Sequence, residues 1–151
     1  MRKLILSLIT IAGLAVPLLA AAPAQAASSP VVIREIFYNS PGSDTGSNAS
    51  LNAEWVQLHN IASHAVTMTN WTLRDKAGHV YTFGTYRIPA HWYLKIHTGP
   101  GKDTKWNRFW NHGWYIWNNN GDTATLEGPA GGVKSQCTYS DPSEVNASVM
   151  C

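Results

Sequence analysis

Two stretches of the chain place apolar residues on every second position. In Ala53–Asn60 (AEWVQLHN), Val56 and Leu58 fall on one side, while Trp55, Gln57 and His59 fall on the other. Trp92–His97 (WYLKIH) alternates in the same way. A period of two belongs to a strand with one face in a core and one toward solvent. Val31–Tyr38 (VVIREIFY) is rich in β-branched and aromatic residues and also predicts a strand. Between them, Asn39–Asn52 (NSPGSDTGSNASLN) has the composition of a loop.

Further along, WTLR at Trp71–Arg74 and HVYTF at His79–Phe83 flank Asp-Lys-Ala-Gly, a hairpin signal. DTATLE at Asp122–Glu127 and VKSQCTY at Val133–Tyr139 flank Gly-Pro-Ala-Gly-Gly and predict a second hairpin. Ala65–Met68 suits a short edge piece, and Ile88–His91 a turn. Trp114–Trp117 (WYIW) predicts a strand leading into an Asn-Gly turn at Asn118–Asp122. Only Asp103–Asn111 is a candidate for a short helix, because no segment keeps a 3.6-residue apolar period beyond two turns. Many short strands separated by turn signals predict an all-β antiparallel sandwich or barrel.

The N-terminus follows another pattern. Arg2 and Lys3 precede an apolar run from Leu4 to Ala22, then Ala24-Gln25-Ala26. A positive start, an apolar middle and a small-x-small site predict a secretory signal peptide cleaved after Ala26. The expected organisation is a signal peptide at 1–26, one domain at 27–139 and a polar tail at 140–151. The product is expected to be secreted, with no stable membrane span after cleavage.

Cleavage changes the charge. The chain has 11 Lys+Arg and 9 Asp+Glu. Losing Arg2 and Lys3 leaves 9 against 9, so the exported product carries no net field to attract nucleic acid or acidic membranes. In an oxidising compartment Cys137 and Cys151, the only two cysteines, are expected to form a disulfide.

The ordered set EWVQLHN (Glu54–Asn60), NWTLRD (Asn70–Asp75), AGHVYTF (Ala77–Phe83), IPAHWYLKIHTGPG (Ile88–Gly101), NNNGDTATL (Asn118–Leu126) and GPAGGV (Gly128–Val133) resembles the lamin-tail domain. That module is found at the end of nuclear lamins and also in secreted bacterial proteins. The resemblance spans Val31–Tyr139. It implies a single immunoglobulin-like antiparallel β-sandwich with no family-wide catalytic residue. In lamins the module contacts protein and nucleic acid; the leader and the missing coiled-coil rod argue against lamin-type partners here. Trp71 and Leu73, two apart on one strand, are expected in the core. Glu54 shares a face with Val56 and Leu58 and is expected to accept backbone N–H groups from a neighbouring loop, with metal or catalytic use as the alternative.

Candidate chemistry is sparse. There is no G-x-S-x-G, H-E-x-x-H or phosphate-cradling glycine loop, and the six His show no metal-ligand spacing. No catalytic residue, metal or cofactor is therefore expected. A secondary reading takes Asn118, Asn120 and Asp122 as calcium ligands, although one carboxylate in five residues falls short of a calcium loop. The remaining candidate is the run Lys105, Trp106, Arg108, Phe109 and Trp110, where aromatic rings interleave with cations in a long loop. Its ligand would be a protein, a polysaccharide or a nucleic acid. The alternative is that these rings form a satellite core. The expected function is a secreted, non-catalytic binding module at the cell envelope or outside it. The other reading is a small secreted metal-dependent hydrolase, recognisable by three His, Asp or Glu side chains converging in one pocket.

Overall fold

The inward residues of the first strand, Val31, Ile33 and Ile36, are spaced two and then three apart. A β-bulge between Ile33 and Glu35 resolves this, inserting one residue so that Ile36 returns to the buried face. In the computed structural model, which describes residues 29–151, this strand is β1 (Val31–Phe37). It pairs antiparallel with β2 (Trp55–Asn60). β2 in turn pairs antiparallel with β7 (Tyr93–His97), which lies parallel to β8 (Asn107–Phe109). With β11 (Ser148–Met150) on the other edge, the first sheet has the order β11-β1-β2-β7-β8.

Both expected hairpins, β4 (Thr72–Arg74) with β5 (Val80–Thr82) and β9 (Gly121–Glu127) with β10 (Val133–Ser140), lie in the second sheet, whose order is β10-β9-β4-β5. A small ribbon joins β3 (Val66–Thr67) to β6 (Arg87–Ile88).

The two main sheets enclose one apolar core. Val56, Leu58, Leu94 and Ile96 come from the first sheet, and Leu73, Ala124 and Leu126 from the second. Trp71, Phe83, Met68, Ile116 and Trp117 join it from the connections. Buried residues alternate with half-buried ones along β2, and with half-buried or exposed ones along β7, as the sequence predicts. Trp71 and Leu73 lie in the core, as expected.

Four local expectations need correction. Asn48–Asn52, expected as loop, and Ala53, expected to open a strand, form a short helix, α1, capped by Ser47, whose side chain accepts from the Ser50 N–H at 3.3 Å. Six residues anchored by Leu51 alone are too few to show a helical period. Asp103–Asn111 contains strand β8 rather than a helix, because this segment adds to the free edge of β7. Trp114–Trp117 is not a strand; Ile116 and Trp117 are buried individually from irregular backbone. The polar tail is not merely a tail, since its end forms β11 along β1. The expected signal peptide and its cleavage site lie outside the described residues. Among the described residues no helix is long and apolar enough to cross a membrane.

Candidate binding site

The outward face of the first sheet is built by register. Phe37, Trp55, His97 and Phe109 align across β1, β2, β7 and β8. The next rung is polar: Glu35, Gln57, Lys95 and Asn107. The third holds Val32, His59 and Tyr93. Within the rungs the rings pair: Phe37 with Trp55 at 5.3 Å, His97 with Phe109 at 5.1 Å, and His59 with Tyr93 at 4.1 Å, all near-parallel. Lys95 Nζ sits 3.4 Å from the Trp55 ring centre, and burial lowers its pKa below the usual lysine value. Cross-strand pairs of this kind hold the face in fixed geometry.

At the β7–β8 edge, Trp92 stacks on Trp106 at 4.3 Å. Lys105 Nζ lies 4.3 Å over the Trp106 ring. Between this pair and Tyr93, an open groove of about 320 Å³ is lined by Gln57, Trp92, Tyr93, Lys95, Trp106 and Asn107. Trp92 and Tyr93 are 44% and 42% exposed, although large apolar side chains normally lie inside.

The five residues expected to act together do not share one surface. Because β8 is a strand, neighbours point to opposite sides. Trp106, just before β8, lines the groove with Lys105 Nζ over its ring, and Phe109 lies on the outward face against His97. Arg108 faces the other way, 3.9 Å over the Tyr86 ring and 3.1 Å from Asp103. Trp110 packs on the core margin beside Trp117 and Tyr81, with ring centres 6.1 Å and 5.7 Å away. Both rings are half-buried, but the satellite-core alternative describes only Trp110, which packs against the core, whereas Trp106 rests on the exposed Trp92. Sequence reasoning missed Trp92, Tyr93, Gln57 and Lys95 as site residues. The alternation of β2 and β7 already placed Gln57 on an outward face; the missing knowledge was that β8 lies beside them.

The Asn118–Asp122 segment is held as a turn. Asp122 Oδ2 accepts from the Asn118 amide side chain at 2.8 Å and from its backbone N–H at 3.3 Å. Oδ1 accepts from the Thr123 and Lys76 backbone N–H groups at 2.7 and 3.0 Å. With both oxygens turned to N–H donors, Asp122 has a structural task here, and Asn118 shares it. Asn120 also contributes its carbonyl to the Asp141 N–H.

Glu54 is fully buried, and its Oε1 accepts from the Ile116 backbone N–H at 2.8 Å and from the Thr98 hydroxyl. This is the loop-tethering role expected of it. Burial raises its pKa to about 7. Cys137 and Cys151 form the expected disulfide, with Cα atoms 5.8 Å apart. Among the described residues no three His, Cys, Asp or Glu side chains gather in a way that could hold a metal ion.

Two packed sheets, antiparallel except for the β7–β8 pair, form an immunoglobulin-like β-sandwich. The model of the Lamin Tail Domain family matches residues 24–141, and the chain belongs to that family. No curated protein matches the chain significantly.

Proposed function

We propose that the chain is an exported, non-catalytic binding module that takes an extended polysaccharide along the groove of its first sheet, with no cofactor required. The observation that carries this is the groove itself. Trp92, Trp106 and Tyr93 provide apolar contact, and Gln57, Asn107 and Lys95 provide hydrogen-bonding groups beside them. Sugar rings offer an apolar face and polar edges, which such a surface complements. A single nucleic-acid strand asks for a cationic track as well as rings. Here Lys95 shares its rung with Glu35 and Lys105 is engaged over the Trp106 ring, and two lysines are too few to follow a phosphate backbone.

Sedimentation with insoluble polysaccharides, including peptidoglycan, tests the proposal beside single-stranded DNA. Trp106→Ala and Trp92→Ala are each expected to weaken polysaccharide binding roughly 5- to 150-fold, from about 1–3 kcal/mol per stacked ring. Retention that prefers DNA and falls steeply with salt would reassign the face to nucleic acid. Binding left intact by both variants would move the site elsewhere. Export is checked separately by N-terminal sequencing of protein from the culture medium, which should begin at Ala27.

A further inference from the structure

The β4–β5 hairpin brings His79 against His112, from the segment that follows β8. Their ring centres are 5.0 Å apart, with planes inclined at 65°. Each ring is oriented from behind. His79 Nδ1 lies 2.7 Å from Asp75 Oδ2, and that carboxylate is buried and further fixed by the Gly78 and His79 backbone N–H groups at 2.8 and 2.7 Å. His112 Nδ1 lies 2.8 Å from the Trp114 carbonyl, and the His112 backbone N–H donates to the Thr98 carbonyl at 2.9 Å. A carbonyl oxygen only accepts, so the proton of a neutral His112 sits on Nδ1; the carboxylate sets the same tautomer in His79. Both Nε2 lone pairs are then left free, and among the described residues neither Nε2 has a hydrogen-bond partner. An imidazole held through Nδ1 by a carboxylate or a backbone carbonyl is the usual preparation of a histidine metal ligand.

The spacing agrees with this preparation. Two imidazoles bound at about 2.0–2.1 Å to one tetrahedral ion have ring centres about 5 Å apart. His79 is 43% exposed at its side chain, so an ion can enter from solvent. We propose that His79 and His112 form a two-histidine site for a divalent d-block cation, with the remaining positions filled by water. Imidazole nitrogens favour copper, nickel or zinc, in which copper(II) binds tightest, over calcium or magnesium, which prefer oxygen donors. This site is independent of the groove on the first sheet.

Copper(II), zinc and calcium are titrated separately into the purified full chain by calorimetry, and His79→Gln and His112→Gln are compared with the wild type. One equivalent of copper and of zinc should bind, copper the tighter, with no calcium signal. Each substitution should weaken binding roughly tenfold or more. In parallel, substoichiometric copper added to the wild-type chain should broaden the imidazole NMR signals of His79 and His112 before those of His59, His64, His91 and His97. This second measurement decides the matter if a variant folds poorly. Absence of binding, broadening led by any other histidine, or affinity unchanged in both folded variants would overturn the proposal.

Discussion

Glu54 carries a charge problem that the fold solves by position. Its carboxyl group is fully buried, and Oε2 has no hydrogen-bond partner, while Oε1 ties β2 to the Thr98 and Ile116 segments. Burial outweighs the bonds to Oε1, so the pKa rises from the ordinary 4.5 to about 7. The folded chain therefore keeps this proton over a pH range in which the unfolded chain has released it. The resulting stabilisation is complete below about pH 4.5 and is lost as pH rises through about 7. For a side chain buried this fully, the effect is about 3 kcal/mol at most. Melting temperature should fall between pH 5 and pH 8, and Glu54→Gln should flatten that slope. A wild-type profile as flat as the variant's would show that Glu54 is ionised in the fold. At the same scale, Trp71 is 7% exposed in the core, and Trp71→Ala should cost about 3–5 kcal/mol. Trp110→Ala should destabilise by about 2 kcal/mol, because its ring is only partly buried. Trp106→Ala should leave chemical denaturation almost unchanged, since its ring rests on the exposed Trp92 rather than on the core.

At the scale of elements, β11 depends on its anchors. Three residues of strand are too few to hold an edge alone. The Cys137–Cys151 bond ties the chain end to β10, and Asp141 organises the turn between. Its carboxylate accepts from the Asn146 N–H at 2.8 Å, the Ser143 hydroxyl at 3.1 Å and the Tyr38 hydroxyl at 3.1 Å. These bonds, led by the Asn146 N–H, hold the Asp141 pKa below its usual value. Replacing both cysteines with serine should remove about 3 kcal/mol from a loop of 14 residues' separation. Hydrogen exchange should report the change first at β11 and just past it, where the residue-151 N–H donates to the Arg34 carbonyl at 3.0 Å. Protection of that amide unchanged in the double variant would show that Asp141 and strand pairing suffice. The short strand β8 illustrates the same dependence. Its pairing with β7 and the bond from Trp110 N–H to the His97 carbonyl at 2.8 Å position Asn107 and Phe109 on the outward face of the first sheet.

Across the whole molecule, the balance of charge shapes what binding should look like. A product beginning at Ala27 carries 9 basic against 9 acidic side chains, so no general field draws in a charged ligand. Binding at the groove should change little between low and physiological salt, because stacking and uncharged hydrogen bonds dominate it. A steep salt dependence in the same sedimentation assay would contradict the neutral-ligand proposal.

The sequence by itself determined the fold class. Alternation in β2 and β7, the two glycine-containing hairpin loops and the ordered set of segments all pointed to one sandwich, because strand patterning and turn chemistry are local properties. The disulfide was legible for a similar reason: two cysteines in one chain leave a single intramolecular pairing. What the sequence could not show depended on neighbours distant along the chain. Asp103–Asn111 has no strong local preference, and it becomes strand only because β7 offers a free edge. That choice separates Arg108 from Phe109 and sends Trp110 toward the core, dividing a cluster that looks continuous in sequence. It also brings Trp106 to Trp92, 14 positions earlier, and so creates the groove. His79 and His112 meet for the same reason: their separation along the chain carries no ligand signature, and only the packing of a hairpin against a distant loop sets their rings 5.0 Å apart.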